Sequence, residues 1–232
     1  MHKKIRVKLL LTILILSLFF QSSNIFAVQL PRKFPFKEGD SLKEWEEKIF
    51  RGKVLYSVKV DKNDSFLSAY SKDAASSIFF YIKFDPKKNP MASWKWKVLR
   101  FPKKANNSNE GGDWIEQDDY AARFYVIFPK LNFHRSKALE YVWDKSLPVG
   151  TIKTSPYSEN IKIIVIESGK RHFKKWVFEE RNIHEDFKSA FGIEPGKVGA
   201  IAIMTDTDNT KSTAEANYDE IKVGYKNEVK TE

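Results

Sequence analysis

The hydrophobic pattern of this chain is mostly of period two. Residues 54–60 alternate Val54, Tyr56, Val58 and Val60 with Leu55, Ser57 and Lys59, which is strand periodicity. Similar runs follow at 66–71, 78–84, 91–98, 120–128, 139–143, 161–167, 174–180, 198–205 and 215–223, giving ten strand candidates. Two of them say where they belong. Along 91–98, Ala92, Trp94, Trp96 and Val98 share one face while Ser93, Lys95 and Lys97 share the other, so one face is core and one is wet. Along 120–128 both faces are largely apolar, with Arg123 the one charge, which places that strand in the middle of a sheet. It is fed by the most acidic loop of the chain, and the segment 111–129 is the pivot of this reading.

Helical periodicity is rare. Leu42, Trp45 and Ile49 have helical spacing, and Ser41 and Glu44 are spaced as a capping box, so 41–50 reads as a short helix or a packed turn. At 182–192, Asn182 is a helix cap, Ile183, Phe187, Ala190 and Phe191 share a face, and Gly192 is a stop signal. Many short strands without regular strand–helix alternation predict an all-β chain: an antiparallel β-sandwich, jelly-roll-like, with one or two short helices. Phe124, Val126, Trp94, Trp96, Ile164 and Ile203 are its expected core.

The N-terminus follows a different pattern. Four cations and no acid open the chain, and residues 9–20 are apolar except for Thr12 and Ser17; a polar patch at 21–24 follows. This is the layout of a signal peptide, and the run is shorter than the roughly 18 residues of a bilayer-spanning helix. Cleavage after Ala27 is expected, with an uncleaved anchor as the alternative. One domain over 28–225, with a frayed tail at 226–232, is then expected in the periplasm or outside the cell. Loss of Lys3, Lys4, Arg6 and Lys8 leaves 36 basic against 30 acidic residues, so the net charge falls from +10 to +6. The remaining charges are interspersed, which argues against nucleic acid and for solubility or attraction to anionic envelope polymers. There is no cysteine, so disulfides, thiolate metal sites and cysteine nucleophiles are excluded, and packing alone holds the fold.

Several long motifs resemble an uncharacterised bacterial family, domain of unknown function 3047. They are SWKWKV at 93–98, QDDYAARFYVIF at 117–128, YVW at 141–143, Trp176 with ERNIHEDFKSAFG at 180–192, and GAIAIMTDTDNT at 199–210 followed by 214–221. That resemblance implies no particular activity. The segments FKEGDSLKEW and NYDEIKV are also similar to the first and last strands of jelly-roll carbohydrate-binding modules, which implies a glycan ligand by fold-level analogy.

Candidate chemistry gathers in two acidic loops. One carries Asp113, Glu116, Asp118 and Asp119, the other Asp206, Asp208 and Asn209. Clustered hard oxygens suit Ca²⁺, although Lys211 and Asn217 occupy the positions where an EF-hand needs glycine and glutamate. A different calcium site could use Asp206 and Asp208 with Glu38 and Asp219, as the likeness to jelly-roll modules implies; turn chemistry explains the same acids without a metal. Arg123, mid-strand, needs an anionic partner, either a structural acid from one of these loops or the carboxylate of a ligand. Trp114 lacks an alternating context and could stack on a sugar ring; Trp143 and Trp176 are weaker candidates.

The expected function is therefore a non-catalytic carbohydrate-binding module using Trp114, Asp118, Asp119, Arg123, Asp206, Asp208 and Asn209. A glycan hydrolase with Asp118, Asp119 and Glu180 as acid/base set is the alternative, and a scaffold for a protein partner is the second. His2, His134, His172 and His184 have no metal-binding spacing, and no nucleophile elbow, phosphate loop or dinucleotide fingerprint is present. Exported protein should begin near Val28. N-terminal sequencing checks this, and intact Met1 in the membrane fraction would identify an anchored protein instead.

Overall fold

The computed structural model describes residues 29–37, 39, 41–62, 64–104, 118–132 and 135–226. Among these residues the strands are β1 (Arg32–Phe34), β2 (Glu46–Arg51), β3 (Leu55–Asp61), β4 (Asp64–Lys72), β5 (Ala75–Phe84), β6 (Met91–Arg100), β7 (Ala122–Phe128), β8 (Lys137–Asp144), β9 (Ile152–Ser155), β10 (Ser158–Ser168), β11 (Val177–Asn182), β12 (Val198–Asp206) and β13 (Thr213–Tyr225), and the one helix is α1 (Ile183–Phe191). They form two sheets. The first runs β11-β6-β13-β4-β3, with β1 also paired to β13; the second runs β2-β5-β12-β7-β8-β10-β9. The fold is a β-sandwich. Each of the ten predicted runs overlaps a strand, 174–180 only from Val177 on, and β7 takes 122–128 of the run 120–128, between β12 and β8 as its two apolar faces require.

Three strands escape the periodicity, and all are short or peripheral. Residues 41–44 form the turn, but the rest of the candidate helix at 41–50 is β2, an edge strand paired with β5 from Glu46↔Phe79 onward. Only Trp45 of the supposed helical stripe is buried, against Phe34, Phe36 and Phe80; Ile49 is exposed. β1 and β9 have three and four residues, too few for alternation to register. The pairing is antiparallel except between β8 and β10, which run parallel because the chain leaves β8, forms the edge strand β9 and returns as β10 between them.

The core between the sheets is aromatic. Trp94 stacks on Phe124 at 4.3 Å between ring centroids and lies 5.3 Å from Tyr141, while Trp96 lies 6.1 Å from Trp143. β6 of one sheet is thereby joined to β7 and β8 of the other. Every residue named above as expected core is buried here. Such ring pairs contribute about 0.5–1.5 kcal/mol each beyond the area they bury.

Helix α1 closes one end of this core. Asn182 caps it by accepting the Glu185 backbone N–H at 3.1 Å, and Gly192 ends it in the left-handed region at φ 68°. Phe187 packs on Phe128 at 4.5 Å. No helix among the described residues is long and apolar enough to cross a membrane.

A second buried apolar layer positions the site. Phe79, Tyr125, Ile127, Ala200, Ala202 and Met204 all come from the second sheet and alternate with residues of the inter-sheet core, so they line that sheet's outer face. Arg123, two residues before Tyr125, shares this face. Phe124→Ala should cost about 3–5 kcal/mol in denaturant unfolding, because it empties a fully buried ring site. Lys95→Ala removes only the surface pair with Glu220 and should stay within about 1 kcal/mol of the parent.

Candidate functional site

Arg123 pairs with Val142 of β8 and Met204 of β12, and its side chain is buried on the outer face of the second sheet. A guanidinium out of water is tolerated only if its donors and its charge are both met. Both are. Nε and Nη2 bind the two oxygens of Asp206 at 2.9 and 2.5 Å, Nη1 binds Oε1 of Glu140 at 2.5 Å, and Nη2 also reaches the backbone carbonyl of Asp118 at 2.5 Å. The Tyr125 hydroxyl is 3.3 Å from Nη1, and the Tyr120 ring lies 4.5 Å from the guanidinium carbon. Burial opposes the charge of Arg123, but Asp206, Tyr125, Glu140 and Asp118 more than offset it, so its pKa is pushed above the ordinary guanidinium value.

Residues 118–120 and 206–210 meet around this arginine. Asp206 accepts the Tyr120 backbone N–H at 3.0 Å. Asp119 accepts the backbone N–H groups of Asn209 at 3.2 Å and Thr210 at 2.6 Å. Asn209 in turn donates from Nδ2 to the Tyr157 hydroxyl at 3.0 Å. Asp118, Asp119, Arg123, Asp206, Asp208 and Asn209 therefore belong to one cluster, buried at its centre and half-buried at Asn209 and Tyr157. Trp114, with Asp113 and Glu116, lies outside the described residues.

Below the cluster, Lys104 and Asp144 form a buried pair at 2.8 Å, and Lys104 Nζ sits 3.6 Å from the centre of the Tyr120 ring. Burial raises the Asp144 pKa, but Lys104 and the backbone amides of Leu147 and Ser146 overcome this, so the carboxyl is held below its usual range. Burial, then Asp118 and Glu140, push the Tyr120 phenol upward, so it stays protonated. Its hydroxyl has no hydrogen-bond partner among the described residues.

For a metal, carboxylate oxygens of Asp119, Asp206 and Asp208 lie within 4.8 Å of one another. This donor set suits a hard cation, although Asp119 already binds two amides and Asp206 already binds Arg123, so an ion would have to share those oxygens. Asp219 does not join them. It lies on β13 of the first sheet, opposite Lys95, with Asp64 and Glu220 as its acidic neighbours. Glu38, the fourth residue of the expected calcium set, is outside the described residues. The acid/base set Asp118, Asp119 and Glu180 is also split: Glu180 is on β11 of the first sheet, where it accepts the Tyr225 hydroxyl at 2.8 Å.

Glu140, Tyr120, Tyr125, Tyr157 and Lys104 were not among the residues singled out from sequence. A signal for Glu140 was present: in Ala138-Leu139-Glu140-Tyr141-Val142-Trp143 it is a lone charge inside an apolar strand, as Arg123 is in its own, and such charges need each other.

The model of a family described as "Protein of unknown function (DUF3047)" matches residues 43–222. The chain belongs to this family. In this DUF3047 member the matched range holds all of the arginine cluster and most of both sheets. No curated protein matches the chain. Among solved structures it is similar to the family 11 carbohydrate-binding module of the cellulosomal cellulase Lic26A-Cel5E of Clostridium thermocellum, at 12% identity and a TM-score of 0.46, over 86% of this chain and 96% of that one. It is similar too to the CBM22-1 xylan-binding domain from Paenibacillus barcinonensis Xyn10C, at 13% identity and 0.39, over 86% and 99%. The xyloglucanase domain of NopAA from Sinorhizobium fredii, in complex with cellobiose, is similar at 11% identity and 0.45, over 78% and 93%.

Arg123→Met should destabilise the protein by about 3–5 kcal/mol in denaturant titration, because Asp206 and Glu140 would be left buried without their countercharge. Adding Glu140→Gln and Asp206→Asn to that variant should recover much of the loss, which locates the cost in unpaired charge rather than in lost packing.

Proposed function

We propose that the protein is an exported, non-catalytic module that binds a carbohydrate on the outer face of its second sheet, where residues 118–120 and 206–210 meet. The observation that carries this reading is the Arg123 cluster: carboxylates, an amide and tyrosine rings converge on one patch and are fixed by one another before any ligand arrives. A sugar needs flat apolar surface for its ring faces and rigid donors and acceptors for its hydroxyls. Tyr157 and Asn209 supply both at the half-buried rim, with Trp114 as the further stacking residue expected from sequence. Asp118, Asp119, Arg123, Asp206 and Asp208 form the polar floor. Because Arg123 on β7 and Asp206 at the end of β12 anchor that floor, its geometry costs little to hold on binding. A calcium ion would take the oxygens of Asp119, Asp206 and Asp208 and would tie the two loops together. The export signal at 1–27 gives such a module access to envelope or extracellular glycans.

A glycan-array screen of residues 28–232, with and without Ca²⁺, tests the reading. Binding should be retained to at least one glycan class and should weaken at least tenfold in Asn209→Ala and in Trp114→Ala, with the melting temperature of each variant close to the parent. Absence of glycan binding in both conditions would overturn it, as would turnover of a bound glycan in place of simple retention. Removal of Ca²⁺ with no change in melting temperature or binding would exclude the ion.

A further inference from the structure

A groove of about 630 Å³ lies on the outer face of the first sheet, on the opposite side of the sandwich from the Arg123 cluster. It forms where β13 changes partners. β13 pairs with β4 up to Tyr218↔Leu67 and with β1 from Ile221↔Phe34, so Asp219 and Glu220 have no ladder partner on that side. The β13–β6 register also shifts between Asp219 and Lys222, and Glu220 sits at φ 48°, in the left-handed region that a residue with a Cβ seldom adopts. The sheet is thus opened by a bulge, and β1 with the residues after it walls the opening.

The walls are built for a ligand with both ring faces and hydroxyls. Phe178, on the edge strand β11, is 54% exposed and stands at the groove as an uncovered aromatic wall. Tyr225 is held in place by its hydrogen bond to Glu180 and by Lys222 Nζ, 4.0 Å from its ring centre. Asp219 lines the groove while only 8% exposed, and its carboxylate is served by the Glu220 backbone N–H, its own neighbour in sequence. Burial, with Asp64 and Glu220 adding to it, raises its pKa to about 6, as expected of a carboxylate whose solvation is incomplete. Ser93, also buried, adds a hydroxyl.

The charges decide the class of ligand. Asp64, Glu180, Asp219 and Glu220 face Lys33, Lys37 and Lys222 across the same space, so neither sign dominates and an ion of either charge gains little. A neutral polyhydroxyl chain meets acceptors and donors together. The geometry points to a second carbohydrate site in this groove, which takes a short segment of a neutral oligosaccharide, with Phe178 stacking on a ring and Asp219, Glu180 and Ser93 binding hydroxyls. The identity of the ligand class rests on the carbohydrate reading above; the groove itself does not. Two sites on opposite faces would let one module bridge two polysaccharide strands, or hold one strand more tightly by avidity.

Two-dimensional amide NMR of residues 28–232 tests this with cellohexaose, xylohexaose and chitohexaose as neutral probes and hexagalacturonate and a glucosamine hexamer as charged ones. At least one neutral probe should shift the amides of Phe178, Glu180, Lys222 and Tyr225. Those shifts should weaken at least tenfold in apparent affinity in Phe178→Ala and persist in Asn209→Ala; both substitutions are at exposed or half-buried positions and should leave the rest of the spectrum in place. Shifts confined to Asn209, Thr210 and Tyr157 would overturn the groove and leave the proposed function standing. Larger groove shifts with either charged probe would overturn the assignment to neutral sugars. No shift with any probe would overturn both readings.

Discussion

The guanidinium of Arg123 sets the terms for much of this structure. A charge in the middle of a buried strand carries a desolvation penalty of several kcal/mol, and Coulomb attraction repays it only when geometry and hydrogen bonds are both right. Here the repayment comes from three directions in sequence: Asp206 at the end of β12, Glu140 on β8 and, at 3.8 Å, the carboxylate of Asp118 in the segment before β7. Because those anions must converge on one point, the registers of β7 against β8 and β12 are fixed by electrostatics as well as by the apolar alternation. A slip of one residue would turn Arg123 toward the tryptophans and Phe124 toward the acids.

The second sheet can carry such a cluster because it is apolar on both faces. Its inner face meets Trp94 and Trp96 across the sandwich, and its outer face holds Phe79, Ile127, Ala200 and Ala202 beside the charged group. Ala200 and Ala202 on β12 are fully buried among the larger side chains of that face. The first sheet is arranged differently. Its outer face carries Ser93, Lys95 and Lys97 along β6, and its groove forms at the bulge in β13 between Asp219 and Lys222.

Local periodicity made most of this legible. Runs of five to nine residues with alternating apolar positions each contain most or part of a strand, and Asn182 and Gly192 marked the helix because a cap and a stop act within a few residues of themselves. β2 was misread because Leu42, Trp45 and Ile49 happen to fall at helical spacing, while the partner that makes residues 46–51 a strand, β5, is about thirty residues away. The parallel placement of β10 beside β8 is a choice between neighbours that alternation does not encode. At the site, adjacency of acids to strand ends was readable, so six of the seven expected ligand residues gather; the seventh, Trp114, is outside the described residues. Asp219 parted from them because a carboxylate's type and its place in a sequence say nothing of which sheet receives it.

The Lys104–Asp144 pair has a consequence for how this chain tolerates change. Lys104 is tied to β8 and packed against Tyr120, and Asp118 to Tyr120 are tied to Arg123 and Asp206, so both ends of the stretch 105–117 are fastened to the sandwich independently of what lies between. The entropy of closing a connection between two fixed points grows only with the logarithm of its length. Substitutions, insertions or deletions between these two anchors should therefore leave the anchors and the sandwich standing.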